Sequence, residues 1–279
     1  MSVEPADPQT EAFERPVVAR GLLAKLRWGV ADALVVARRN LLRIPRSPEL
    51  LVILTIQPVM FTLLFVYVFG GAIQTPGFDY VDFLLPGILV QTIAFNGSLT
   101  GVGLAEDLQK GLVDRFRSLP MSRSGLLAGR TLADVATNAF TVLVMVLVGY
   151  AAGFRLASSV PEVVAGILLL LLFGYAISWI SALIGLSLGN VEAAQSAGFI
   201  WLFPLTFISS AFVPTDSMPG PLAAFAEVNP ITLTVNALRG LFLDAPAGNA
   251  PWLSLLWCVG LVAVFAPLAV ARYRRVASR

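Results

Sequence analysis

The sequence contains no histidine, a single cysteine and few charged residues. Only 13% of its 279 residues are charged and 57% are hydrophobic, whereas soluble proteins carry roughly 25% charged residues. The lone Cys258 excludes a disulfide within the chain, and the absence of histidine excludes the common Cys/His metal sites. A chain this apolar cannot bury its side chains in one water-soluble core, so the composition predicts an integral membrane protein.

The sequence also lacks the motifs of an enzyme that hydrolyses nucleotides. A phosphate-binding loop needs Gly-x-x-x-x-Gly-Lys followed by Ser or Thr. The two lysines, Lys25 and Lys110, are followed instead by Leu26 and Gly111. We therefore expect no catalytic residue, metal or cofactor in this chain, and any ATP and Mg²⁺ used would be bound by another polypeptide. The net charge of +2 gives no reason to expect a nucleic-acid partner.

Six long apolar segments follow the polar N-terminal region. Each is close to the ~20 residues that cross a bilayer as a helix. The sequence therefore predicts an all-α integral membrane fold with six transmembrane helices, at about residues 50–70, 83–104, 132–153, 163–188, 194–213 and 252–270.

Two different segments precede the first span. Residues 1–17 are rich in Pro, Glu and Asp, a composition that predicts a disordered cytoplasmic tail. Residues 18–46 combine leucines at helical spacing with many arginines. This pattern predicts an amphipathic helix in the membrane interface, although a soluble helix that packs on a partner would have the same pattern.

The positive charges indicate the orientation. Every lysine and arginine except Arg155 and Arg239 falls on one side of the membrane when six spans are assumed. Because loops rich in Lys and Arg stay in the cytoplasm, both termini are predicted to be cytoplasmic.

Residues 105–123 form a long charged connection between the second and third spans. Leu108, Leu112 and Phe116 recur at intervals of four, which would place them on one face of a helix. The segment is interpreted either as a short helix that docks on a cytoplasmic partner or as a solvated loop.

The segment before the last span, residues 216–245, is too apolar for a free loop and too interrupted for a span. We expect two short re-entrant helices in the outer leaflet, separated at Asn229-Pro230.

Charged residues are almost absent from the spans themselves. Asp134 lies near the cytoplasmic end of the third, and Glu192 lies in the short inner loop before the fifth. Carriers driven by ion gradients usually need ionisable groups or broken helices at mid-membrane. A secondary carrier or a membrane scaffold independent of ATP therefore remains only as the alternative function.

Two segments resemble a known family. Residues 110–123, with Gly129-Arg130, are similar to the cytoplasmic loop of ABC-2 type permeases, and residues 212–219 and 229–232, with Arg239, resemble their outer segment. The daunorubicin-resistance-type exporters are the most similar branch. The resemblance implies an ABC-2 transmembrane domain at 47–279 that forms a dimer with a second copy of itself or with a similar permease.

The resemblance also implies a function and its partners. Two separate ATP-binding cassette subunits would drive the outward export of hydrophobic drugs or lipids across the cytoplasmic membrane. Residues 18–46 would be the connecting helix, and residues 106–120 the coupling helix. The coupling contacts would be Glu106, Asp107, Leu108, Leu112, Asp114, Arg115, Phe116 and Arg117, with a second contact at Glu192.

The second and fifth spans would line the route of the transported molecule. The residues expected to contact it are Phe95, Asn96, Phe199, Phe203 and Phe207. The alternative for these side chains is ordinary packing or contact with lipid.

Overall fold

The computed structural model describes residues 48–69, 79–111 and 123–276, and all regular elements in these ranges are helical. The predicted tail, the interfacial helix and residues 112–122 lie outside the described residues. The α-helices are α1 (Pro48–Leu64), α2 (Tyr80–Gln109), α3 (Arg123–Ala151), α4 (Val160–Leu188), α5 (Val191–Phe207), α6 (Gly220–Val228), α7 (Pro230–Leu243) and α8 (Ala250–Val276).

Four of the predicted spans are confirmed as helices long and apolar enough to cross a membrane: α2, residues 133–151 of α3, α4 and α8. The other two are shorter, because α1 and α5 each contain 17 residues. A helix of that length rises only about 26 Å, less than the ~30 Å hydrocarbon core. A π-helical turn, Phe65–Phe69, extends α1, and the count of six spans stays a prediction.

Helices α2 and α4 pack along each other through glycine contacts. A Cβ atom on Gly101 would lie 2.2 Å from the backbone oxygen of Ser181, and one on Gly185 would lie 2.0 Å from that of Gly101. Only glycine permits backbones to approach this closely. The glycines thus form a packing surface between these two helices. The core forms around it from Leu84, Leu85, Ile88, Leu89, Ile93, Leu170, Phe173 and Ile177.

Helix α5 ends at Phe207, six residues before the predicted end of the fifth span at 213. The backbone that follows is not helical, and its polar groups need partners away from water. The side-chain amide of Asn229 donates to the carbonyl oxygens of Leu205 and Ile208, at 2.7 Å each. Thr232 accepts from the backbone N–H of Ser210 at 3.1 Å.

Arg239 completes this arrangement and is buried, although the sequence suggested an outer-loop residue. Its side chain is 7% exposed. The guanidinium donates to the carbonyl oxygen of Phe83 on α2 at 2.8 and 3.0 Å and to that of Ser210 at 2.7 Å. Nη1 donates to Asn236 Oδ1 at 3.1 Å. We call Asn229, Thr232, Asn236 and Arg239, which follow each other at helical spacing, the α7 polar face.

The two short helices predicted before the last span are confirmed as α6 and α7. Asn229 separates them and caps α7, since its side-chain oxygen accepts from the N–H of Ile231 at 2.9 Å. Their position in the outer leaflet stays a prediction.

Candidate functional site

A cavity of about 350 Å³ lies between α1, α2 and α5. Helix α2 contributes one continuous side of it, because residues spaced three and four apart share a helical face. The lining residues are Gln57, Pro58, Phe61, Gln91, Thr92, Phe95, Asn96, Ser98, Leu99, Gln195, Phe199, Phe203 and Phe207. None of these side chains is charged.

Four phenylalanines form what we call the aromatic wall: Phe95, Phe199, Phe203 and Phe207. The rings of Phe95 and Phe199 have centroids 5.5 Å apart and join α2 to α5. Those of Phe203 and Phe207 are 4.4 Å apart. Phe199 and Phe203 line the cavity, and they are 52% and 50% exposed. Their rings are therefore not packed in the core. The structure thus brings all four predicted aromatic route residues to one cavity.

Further rings continue this aromatic contact beyond the cavity. Phe212, in the non-helical segment after α5, lies 5.4 Å from the ring of Phe207 and 4.8 Å from that of Phe65. The π-helical turn of α1 and the end of α5 are therefore joined by stacked side chains.

The predicted route residue Asn96 lies on the same cavity and begins a ladder of polar contacts between α2 and α3. Its Nδ2 atom donates to Asn138 Oδ1 at 3.2 Å. One turn further along, the hydroxyl of Thr100 donates to the carboxylate of Asp134 at 2.6 Å. Buried polar groups in an apolar surrounding need such partners. The ladder therefore fixes α2 against α3 beside the cavity.

The ladder ends at the start of the predicted coupling segment. Asp107 forms an ion pair with Arg130, whose guanidinium also donates to the carbonyl oxygen of Gly103 at 3.1 Å. Glu106 pairs with Lys110 at the surface. Both acidic residues belong to the last turn of α2, since the span helix continues to Gln109 without a break.

Leu108, predicted as a coupling contact, has contacts within the chain. It is half-buried and packs within the chain against the cluster of Leu104, Trp179, Leu186 and Tyr273. Its apolar surface is therefore already partly used by α4 and α8. The remaining predicted coupling residues, Leu112, Asp114, Arg115, Phe116 and Arg117, lie outside the described residues.

Glu192 is exposed in the first turn of α5. Gly189 and Asn190 alone connect α4 to α5, and Asn190 caps α5 by accepting from the N–H of Ala193 at 3.1 Å. Within the described part of the chain, no ion pair joins Glu192 to the end of α2.

Sequence analysis missed several cavity residues, among them Gln57, Phe61, Gln91 and Gln195. The available signal was an uncharged amide side chain within or beside an apolar span. Gln91 could have been added to the predicted route residues, because it precedes Phe95 by four positions on the same helical face. The residues that α1 contributes to the cavity depend on tertiary packing alone.

Comparison with known proteins matches the sequence of this chain to one family. The family model of the ABC-2 type transporter matches residues 32–243. The daunorubicin resistance ABC transporter permease protein DrrB1 of Streptomyces coeruleorubidus is 35% identical over 263 residues, which cover 93% of this chain and 92% of that protein.

Two more distant relatives agree. The probable doxorubicin resistance ABC transporter permease protein DrrC of Mycobacterium tuberculosis is 25% identical, over 90% of this chain and 91% of its own length. The putative transport permease ycf38 of Cyanophora paradoxa is 29% identical, over 76% of this chain and 74% of its own. This chain belongs to the ABC-2 type transporter family and is a membrane-spanning permease.

Proposed function

We propose that this chain is the transmembrane subunit of an ATP-driven exporter that moves a hydrophobic or amphipathic molecule, a drug or a lipid, outward across the cytoplasmic membrane. Membership of the ABC-2 family supports transport by an ATP-binding cassette complex. A separate ATPase subunit would bind ATP and Mg²⁺. The drug-resistance functions in the names of two relatives support the substrate class.

The cavity between α1, α2 and α5 is the observation that carries this proposal. Its aromatic wall offers large apolar surfaces, and its polar side chains are neutral amides and hydroxyls. Sites for small organic molecules combine such apolar walls with a few polar groups that orient the molecule. A strongly charged solute would find no opposite charge among the described lining residues.

A second permease copy would enclose the cavity. In one chain, Phe199, Ile200 and Phe203 of α5 are exposed on the same helix that lines it. Apolar side chains of this kind on a closing two-fold interface would pack against their symmetry mates. We propose a homodimer, with two ATPase subunits below it.

Coupling to the ATPases would use the hairpin formed by α2, residues 112–122 and α3. The contacts of Asn96, Thr100 and Asp107 with α3 support movement of the two helices as one unit. Displacement of the loop by an ATPase would then change the position of the α2 wall of the cavity. Because Leu108 packs within the chain, Leu112 and Phe116 would supply most of the apolar contact with the partner.

The direct test is to purify the chain with the candidate ATPase in lipid nanodiscs and measure ATP hydrolysis with and without hydrophobic dyes. We expect a stable complex whose hydrolysis rises with a transported dye, and no stimulation when the ATPase carries a substitution of its phosphate-loop lysine. Dye export by the chain in vesicles without any ATPase, driven by an ion gradient, would instead support a secondary carrier.

A substitution tests the coupling helix separately. We expect Phe116→Ala to weaken ATPase association by about tenfold or more, since truncation of a buried aromatic at an interface typically costs on the order of 2 kcal/mol. The matched variant Arg123→Ala, at the first residue of α3, should have a smaller effect. Association is measured by pull-down from the same membranes in which transport is assayed. Unchanged association and transport for Phe116→Ala would contradict the coupling assignment.

A further inference from the structure

Gln91 is the one buried residue in the cavity lining whose side-chain amide has no hydrogen-bond partner among the described residues. Its side chain is 7% exposed. The other two glutamines of the lining, Gln57 and Gln195, are exposed. The amide of Asn96 differs again, because it is held by Asn138.

A buried amide without a partner is costly. Transfer of such a group out of water without a hydrogen bond costs roughly 1–3 kcal/mol as judged from protein mutations. Most buried polar side chains therefore have a partner. The side chain of Gln91 is mostly buried but lines the cavity, so the hydrogen bonds of its amide, which no described residue supplies, would come from whatever occupies the cavity, water or a bound molecule.

The position of Gln91 relative to the aromatic wall defines what this occupant needs. Gln91 and Phe95 are separated by one turn of α2 and lie on the same face. Phe95 in turn contacts Phe199 of α5. A flat apolar molecule against these rings would present its edge to the amide. The amide can donate hydrogen bonds from its NH₂ group and accept them at its carbonyl oxygen.

We propose that Gln91 determines substrate specificity by bonding a neutral hydroxyl, amino, carbonyl or carboxamide group on a molecule whose aromatic or apolar body lies against the aromatic wall. This inference rests on the proposed role of the cavity in transport. Because no charged side chain lines the described cavity, the hydrogen bond at Gln91 would distinguish molecules of similar hydrophobicity.

The test compares two probes, 2-aminoanthraquinone and its N,N-dimethyl derivative, of which only the first can donate a hydrogen bond from its amino group. Binding to the permease–ATPase complex in nanodiscs is measured by equilibrium dialysis. One hydrogen bond is worth about 0.5–1.5 kcal/mol, so the affinity ratio of the amino probe to the dimethyl probe should be about threefold to tenfold higher for the wild type than for Gln91→Met, which keeps the shape of the side chain. The control Gln109→Met, at an exposed glutamine of α2 outside the cavity lining, should retain the wild-type ratio.

Stability separates this role from a structural one. If Gln91 bonds only a cavity occupant, Gln91→Met should leave the thermal unfolding midpoint of the empty complex unchanged or raise it, and binding of the dimethyl probe should persist. A lowered midpoint with an unchanged probe preference would overturn the inference.

A third variant distinguishes failure of the inference from failure of the cavity proposal. If Phe203→Ala weakens binding of both probes while Gln91→Met leaves their ratio at the wild-type value, the cavity binds substrate but Gln91 does not select it. If Phe203→Ala changes the binding of neither probe, the cavity is not the binding site and both proposals are wrong.

Discussion

The α7 polar face and the cavity wall of α2 both contain amide side chains, but the hydrogen bonding of these side chains differs. On α7, Asn229, Asn236 and Arg239 are engaged with backbone or side-chain groups of neighbouring segments. On α2, Gln91 has no such partner and borders an open cavity. The polar groups of the α7 polar face therefore hold the fold, whereas the amide of Gln91 is available to another molecule.

The physical reason lies in the backbone beside each group. Helix α5 stops at Phe207, so carbonyl and N–H groups between Leu205 and Ser210 need partners in an apolar surrounding. The α7 polar face supplies them. Gln91 lies in the middle of α2, where the helix satisfies its own backbone and the side chain is free for other contacts.

In this comparison, the largest loss of stability is expected from substitution of Arg239 on the α7 polar face. Arg239→Met keeps the length of the aliphatic part of the side chain but removes the guanidinium, which donates to the carbonyl oxygens of Phe83 and Ser210. We expect the free energy of unfolding to fall by about 3 kcal/mol, since each buried group left without a partner costs about 1–3 kcal/mol. Thermal or denaturant unfolding in nanodiscs measures this.

Arg272→Met is the matched control. The Arg272 guanidinium is only partly buried and contacts the carbonyl oxygens of Leu186 and Ser187 at 3.4 Å each. We expect a loss below about 0.5 kcal/mol. Equal effects of the two substitutions would show that the α7 polar face does not hold the end of α5.

A smaller loss is expected at the first residue of the same face. Asn229→Ala removes the donor to Leu205 and Ile208 and the cap of α7, so we expect about 1–2 kcal/mol of destabilisation. Asn249→Ala, at the exposed residue before α8, provides the control and should be nearly neutral. The same unfolding measurement applies, and destabilisation of both variants alike would reduce the role of Asn229 to ordinary capping.

The smallest effect on stability is expected in the cavity wall. Phe203 is half exposed, so Phe203→Ala should cost less than about 1 kcal/mol of unfolding free energy. The loss of its aromatic contact with a bound ring, about 1–1.5 kcal/mol, should instead weaken binding of an aromatic dye by about tenfold. Phe225→Ala, on α6 and 45% exposed outside the cavity lining, should leave dye binding unchanged. Loss of protein yield without a change in affinity would assign Phe203 to packing.

Sequence reasoning succeeded where a single segment carries enough information. The apolar runs of α2, α4 and α8 are long enough to predict their helices, and the break at Asn229-Pro230 predicts the separation of α6 from α7. The early end of α5 was not predictable in this way, since residues 208–213 contain no charge, proline or glycine that would indicate the end of a span.

The sequence by itself determined the membrane environment, the positions of the long helices and the family of this chain, because apolar length and local motifs do not depend on what packs nearby. Only the tertiary structure decided that Arg239 is buried, that Leu108 packs inside the chain and that no described residue bonds the amide of Gln91. Each of these depends on residues distant in the sequence, whose carbonyl oxygens, rings or empty space reach the side chain only after the helices have packed.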